Sequence, residues 1–377
     1  MYAVYADNQL LYSPDMVDDG YIITEPVLTK EMNKSGSFEF KIFDSNPHFS
    51  TLSPLKTQIR VTDNDEEIWR GRVLNIEKDF DNRRAVYCEG VLSFLVDSII
   101  RPYTKVNRSM ADQFRYYISK HNEMVEAYKQ FTIKTIDVDD LYGNIDWEST
   151  SYEKTNDVID SLVSNYGGYL VVGYEDGQNT ISYLKNPGRE SIQTINFGEN
   201  LLDVTETIDS SSVFTALIPI GYDANNNKIT IESVNQGNDY IVSETGADKF
   251  GIIFFQYTFE QVISTPSELL TIAQDFLSKN INIYRTISLK ALDLHLIDPS
   301  INKFDVYDII KVESDPHGIN EYEMCTMVSI DLENPEDSEY TIGTIPEGIT
   351  DSINSTQKVV ISGSGGSSLP NGDNVAY

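Results

Sequence analysis

Four histidines, two cysteines and 59 acidic residues are the side chains in this 377-residue chain best suited to chemistry. The histidines are His48, His121, His295 and His317. A catalytic zinc site needs several converging protein ligands. His295 and Asp298 supply half of such a motif, and no His-x-His pair stands elsewhere to complete it. A cysteine nucleophile needs a thiolate beside a histidine. Cys325 follows His317 by eight residues, but it falls in a strand pattern that shuts a thiol off from substrate. Cys88 sits in a similar pattern, so both are expected to be reduced, buried and structural. No Gly-x-Ser-x-Gly elbow, phosphate-binding glycine loop or dinucleotide fingerprint occurs.

Asp331, Glu333, Glu336, Asp337 and Glu339 crowd one loop with no local base. Acid-rich loops meet the carboxylate spacing of a glycosidase by chance. This one lacks the spaced Asp-x-Asp-x-Asp-Gly pattern of a calcium loop. Arg70, Arg72, Arg83 and Arg84 are the dense basic group. They lie among Glu66, Glu67, Asp79 and Asp81, so ion pairs across strands explain them better than nucleic acid does. The sequence therefore offers no catalytic, cofactor-binding or metal-ligating set. His295 is expected on a strand surface and His317 in a turn.

The elements that hold these residues are mostly strands. Residues 1–98 read as a β-rich barrel or sandwich, with short alternating segments between turn clusters. Gln58 opens one strand, a charged turn follows, and Ile68-Trp69-Arg70 starts the return with a bulge at Gly71. Arg84 to Glu89 pairs back. From 99 to 195 the pattern is a small α/β domain. Ser109 and Asp112 form a helix cap, and Phe114, Ile118, His121 and Val125 share one face of a helix running to about Gln130. A second helix is expected from near Thr150, with Glu153 in its first turn. Val158, Ile159, Leu162, Val163 and Tyr166 form its stripe, and Gly167-Gly168 its C-cap. Two strands joined at Asp176-Gly177 follow.

Residues 196–346 return to β character. Val213 to Tyr222 reads as a strand with an edge or bulge at Pro219. Thr265-Pro266-Ser267-Glu268 starts a helix at about 266–280, with Leu269, Leu270, Ala273, Phe276 and Leu277 inward. A four-strand meander spans 285–343. Its second strand carries Val306, Ile309, Ile310 and Val312, its third runs from Glu323 to Leu332, and Ser314-Asp315-Pro316-His317-Gly318 is the turn between them. Residues 347–377 form a polar tail containing the linker-like 363–368.

Composition bounds the function. Hydrophobic residues make up 40% of the chain, enough for real cores. No apolar run approaches the ~20 residues needed to span a bilayer, and the first residues do not form a signal peptide. Synthesis and folding in a cytoplasm are expected. The net charge of −31 repels DNA phosphates and anionic membranes. The 23 tyrosines are expected mostly in sheets, where tyrosine is favoured, although exposed ones would suit a carbohydrate-binding adhesin.

Several phrases, taken in order, resemble a known family. They are Asn33-Lys34-Ser35-Gly36-Ser37-Phe38, Asn46-Pro47, Gly71-Arg72-Val73, Cys88-Glu89-Gly90, Ser288-Leu289-Lys290-Ala291, Phe304-Asp305-Val306-Tyr307-Asp308, Asp315-Pro316-His317-Gly318, Asp331-Leu332-Glu333-Asn334-Pro335 and Ile342-Gly343. Their order over about 1–345 resembles the siphophage tail-associated family, also described as prophage endopeptidase tail or phage minor structural protein N-terminal region. The family pattern has Val-Gly-Asp where this chain has Val306-Tyr307-Asp308. The resemblance implies an α+β, mainly β fold like the baseplate hub: two tail-tube-like β-barrels, an inserted small α/β domain, and a homotrimer. It implies a virion tail-tip part that closes the tail tube, adapts six-fold tube to three-fold tip and lets DNA pass without specific binding. Implied partners are the distal tail protein ring, the tape-measure protein, downstream tip or fibre proteins and the host cell envelope. No catalytic residue carries over, so the endopeptidase label finds no support; a cell-wall hydrolase is the enzymatic alternative.

Overall fold

The computed structural model describes residues 1–343 apart from 81, 139–142, 212, 280–283 and 299. The chain opens with seven strands: β1 (Tyr2–Ala6), β2 (Gln9–Tyr12), β3 (Ile23–Glu31), β4 (Ser37–Ile42), β5 (Gln58–Asp63), β6 (Glu66–Lys78) and β7 (Arg84–Gly90). Alternation accounts for them. In β4, Phe38, Phe40 and Ile42 are buried while Glu39 is exposed, the period of two that divides a strand between two faces. The expected bulge at Gly71 is absent. Gly71 stands opposite Ile59 in β5 and Gly90 in β7, and the register slips instead at Ile68 and Leu74. Glycine is required at 71 by close approach, since a Cβ there would lie 2.1 Å from the Glu89 carbonyl oxygen.

A second apolar core lies between Val91 and Tyr183. Its strands are β8 (Ile99–Ile100), β9 (Tyr103–Arg108), β10 (Phe131–Asp137), β11 (Ile145–Ser149), β12 (Glu153–Lys154), β13 (Tyr169–Glu175) and β14 (Gln178–Leu184). Its helices are α1 (Met110–Asn122) and α2 (Thr155–Tyr166). The Ser109 hydroxyl accepts the Asp112 amide at 3.1 Å, and Phe114, Ile118 and His121 are buried on α1 as read from their spacing. The helix stops at Asn122 rather than near Gln130, leaving Val125 outside it. Side chains divert the chain there: Asn122 bonds both backbone groups of Phe131, and the Gln130 amide donates to the Asn122 and Val125 carbonyls. The second helix starts at Thr155, later than expected. Glu153 belongs to β12, whose ladder with β8 outcompetes the local cap signal. Val158, Ile159, Leu162 and Val163 are buried, and Gly167 ends the helix at φ 78°.

The rest of the chain supplies β15 (Arg189–Asn196), β16 (Leu201–Asp209), β17 (Ala216–Tyr222), β18 (Lys228–Ile229), β19 (Ile241–Val242), β20 (Phe254–Val262), β21 (Tyr284–Ala291), β22 (Asp308–Ser314), β23 (Ile319–Asp331) and β24 (Glu339–Gly343), with α3 (Glu244–Phe250) and α4 (Pro266–Lys279). The strand expected from Val213 begins at Ala216. Among the described residues, Pro219 sits where β17 has no neighbour on one side, between the short pairings with β19 and β18. Strands β17 to β20 form their own sheet, with β17 and β20 parallel. Leu269, Ala273 and Leu277 of α4 are buried, as is Ile272.

The four last strands are not a meander. β21 pairs with β24 and β16 rather than with β22, and β22 takes β15 as a parallel partner. Val306 precedes its strand, and the third strand starts at Ile319, before Glu323. One thirteen-stranded sheet results, in the order β16-β21-β24-β23-β3-β4-β7-β6-β5-β1-β2, with β22 joined to β23 and β15 to β22. The β23–β3 ladder, from Met327 opposite Glu31 to Asp331 opposite Val27, fuses the first strands with the last. One core runs across it, from Val4, Phe38 and Ile59 to Val312, Cys325 and Ile342. The chain is therefore mainly β. The tail expected at 347–377 lies outside the described residues.

Candidate functional site

The residues singled out for chemistry are scattered. His48 bonds its own turn through the Asn46 side chain. His295 is in a short 3₁₀ turn, not on a strand; its Nδ1 lies 2.6 Å from the Ile301 carbonyl oxygen. Asp298 accepts from the Ser300 amide at 3.0 Å, so the half zinc motif is spent on local turns. His317 is exposed in the Asp315–His317 turn as expected, with Nδ1 2.6 Å from the Ser314 hydroxyl. Cys325 lies well down β23 from that turn, about 20 Å by strand rise, so the two form no dyad. Both Cys88 and Cys325 are free and buried, and burial pushes both thiols well above their ordinary range. We expect neither thiol to react with a disulfide reagent at pH 8 until the protein is unfolded, when both should; colorimetric titration checks this.

His121 forms a contact that spacing could not reveal. Its Nδ1 is 2.7 Å from the Ser98 hydroxyl, which is 2.7 Å from the Thr155 hydroxyl. Its Nε2 lies 3.0 Å from the Lys129 carbonyl. That carbonyl can only accept, so Nε2 carries the proton and Nδ1 accepts from Ser98. A Ser–His pair of this kind resembles a nucleophile and its base, but Ser98, His121 and Thr155 are all fully buried. It is structural cement between α1, α2 and the Ser98 segment. Burial lowers the His121 pKa, with the Lys129 carbonyl and Asp97 opposing. A depressed histidine stabilises the fold fully above its unfolded pKa of about 6.5, and that contribution is lost as pH falls below it. Thermal midpoints should drop between pH 7 and 5, and the drop should be smaller in His121→Gln.

The acidic loop shows no convergence: the Asp331 carboxylate accepts the Glu333 and Asn334 amides at 2.8 Å. Among the described residues no three His, Cys, Asp or Glu side chains gather as metal ligands would. The arginines are engaged as their surroundings imply. Arg70 is bidentate to Glu67, Arg83 pairs with Asp79, and Arg84 donates to the Phe49 carbonyl. Arg72 pairs across the ladder with Glu89 and reaches Asp97.

A cleft of about 340 Å³ lies between the large sheet and β13. Lys30, Trp69 and Arg70 of the large sheet line it, with Leu170 and Tyr174 of β13 and Tyr307. Two of its cations are paired: Lys30 lies 2.6 Å from Asp305, and Arg70, stacked 3.6 Å over Tyr174, is held by Glu67. Tyr307 occupies the position where the family pattern has glycine, and its φ is +74°. Left-handed backbone explains the glycine; a tyrosine there costs about 1–2 kcal/mol.

Residues 189–353 match the family model described as prophage endopeptidase tail, a span that begins at the first residue of β15. No curated protein matches. The prophage tail protein gp18 of Listeria monocytogenes EGD-e superposes with a TM-score of 0.55 and 15% identity, covering 96% of this chain and 99% of that one. The 43 kDa tail protein of prophage MuSo2 from Shewanella oneidensis gives 0.61 and 12%, over 92% and 98%. The tail protein of Neisseria meningitidis MC58 gives 0.61 and 12%, over 93% and 98%. At such identities the likeness is one of fold. With a family match across 189–353 and the fold of three solved tail proteins, this chain resembles the prophage endopeptidase tail family and has a phage tail-protein architecture.

Proposed function

We propose that the chain is a structural protein of a phage or prophage tail tip, the baseplate hub that closes the tail tube as a homotrimer. The observation that carries this reading is the match over 189–353, whose strands β15, β16 and β21 to β24 share one sheet and one core with β1 to β7. In this reading, 1–98 and 196–346 each supply a tail-tube-like barrel, 99–195 is an inserted α/β domain, and 347–377 is a linker. Three chains then give a ring of six barrels, six-fold toward the tube and three-fold toward the tip. The net charge of −31 suits a DNA ejection channel, since acidic walls do not hold phosphates. Partners are the distal tail ring, the tape-measure protein, downstream tip or fibre proteins and, at infection, the host envelope. Assembly takes place in the host cytoplasm, and the mature protein resides in the virion tail.

The role is non-enzymatic: the histidines and cysteines of the described residues serve turns and cores. Native mass spectrometry should find three chains per particle, and cryo-electron microscopy of purified tails should place the protein at the distal tip with an acidic lumen. A monomer absent from purified tails would overturn the reading. Clearing of a cell-wall zymogram by the purified protein would favour the hydrolase instead.

A further inference from the structure

Leu170 and Tyr307, which both line the cleft, meet in an unusual way. β13 pairs with β14 along one edge and borders no strand on the other among the described residues. In an antiparallel ladder alternate residues turn their backbone groups away from the partner. Leu170 turns both of its groups outward, and both are met by side chains. Its amide donates to Asn33 Oδ1 at 2.7 Å, and its carbonyl accepts from the Tyr307 hydroxyl at 2.8 Å. The Asn33 backbone amide donates to the same hydroxyl at 3.1 Å, and Asn33 Nδ2 donates to the Gly168 carbonyl at 3.2 Å. The Tyr307 ring stands edge-on to Tyr169, with centroids 5.8 Å apart. Asn33 lies in the β3–β4 turn, and its backbone is also left-handed, at φ +59°. Tyr307 is tied to β23 through its own amide, which donates to the Cys325 carbonyl at 2.8 Å.

We propose that Asn33 and Tyr307 form a latch, in which two side chains stand in for a missing neighbour strand at Leu170 and hold β13 against the large sheet. Three segments far apart in sequence meet through one hydroxyl and one carboxamide. Two of the three hold a non-glycine residue in left-handed backbone. Such strain persists only where surrounding contacts fix it. The latch therefore engages and opens as one unit, exposing the free edge of β13 to the cleft. An exposed edge is a template for strand addition, so a side-chain guard there also blocks unwanted pairing.

Amide exchange read by NMR or mass spectrometry tests the latch. Tyr307→Phe removes a hydroxyl that makes no bond to the Leu170 amide. If the latch is one unit, Leu170 exchange nevertheless rises roughly tenfold, as expected for losing a hydrogen bond or two, while the short strands β18 and β19 keep their rates. Leu170 exchange within about twofold of the unaltered protein would overturn the proposal, as would an equal rise in β18 and β19. Should the variant fold poorly, the unaltered chain still decides. Its Asn33 and Leu170 amides should share one opening, with parallel dependence on denaturant; different dependences would refute the latch.

Discussion

Arg72→Ala should lower the unfolding free energy by about 2–3 kcal/mol, because it removes a buried guanidinium that pairs two partly exposed carboxylates, which water can then solvate in part. Arg72 is 4% exposed. Its Nε meets Glu89 at 2.7 Å, and its two terminal nitrogens meet Asp97 at 2.5 and 3.0 Å. Lys129 reaches the same carboxylate at 3.0 Å, and the guanidinium lies 5.2 Å from the Phe94 ring centre. Burial alone would push Asp97 up, but the bonds from Arg72 and Lys129 outweigh it and hold Asp97 below its ordinary range. Arg72 and Glu89 belong to the large sheet, whereas Asp97, Lys129 and Phe94 belong to the segment around the second core. The network therefore ties two cores together. The chain has two tryptophans, and each reports on one of them: Trp69 in the first core and Trp147 in the second. Urea unfolding followed by fluorescence, in Trp69→Phe and Trp147→Phe backgrounds, should show both transitions moving to lower urea. A loss under about 1 kcal/mol would mean that solvent already screens the pair.

The sequence was legible where one segment carries its own instructions. α4 begins at Pro266 with Thr265 accepting the Glu268 amide at 3.2 Å and Glu268 accepting the Ser264 amide at 2.8 Å, the reciprocal cap that its residues spell out. The β5–β6 hairpin and the Gly167 cap were equally local. What escaped was set by distant partners. Glu153 looked like a first-turn residue until β8 claimed it for a ladder. The last strands looked like a meander, but β24 inserts between β23 and β21, and nothing within 285–343 encodes that order. The separate β17–β20 sheet was missed because its parallel pairing joins strands more than thirty residues apart, with α3 between them. The same limit applies to the site: His121 was visible on its helix face, but Ser98 and Thr155 reach it only through packing. The Tyr307 departure was visible as a missing glycine, while its contacts with Asn33 and Leu170 were not.

Gly90→Ala should be at least as damaging as the loss of Arg72, for a different reason. Gly90 has φ −73° and ψ 172°, a conformation any residue adopts, so no backbone strain is involved. Space is the constraint. A Cβ at 90 would lie 1.8 Å from the Ser35 carbonyl oxygen and 2.9 Å from its carbon, with Trp69 Nε1 at 3.2 Å. Gly71, directly opposite, is as confined: a Cβ there would meet the Glu89 oxygen at 2.1 Å and the Trp69 ring at 2.5 Å. Backbone cannot rotate away as a side-chain tip can, so one methyl must displace the β3–β4 turn or split the β6–β7 ladder. Overpacking typically costs 1–3 kcal/mol, and a contact this close should cost about 3 kcal/mol or more. Gly177→Ala separates crowding from strain. Gly177 has φ +81° but open space around its Cβ position, so it should lose only about 1–2 kcal/mol. Thermal or urea midpoints should therefore fall further for Gly90→Ala and Gly71→Ala than for Gly177→Ala. The opposite order would mean that the Ser35 turn yields freely and that the paired glycines reflect something other than the close approach of β6, β7 and that turn.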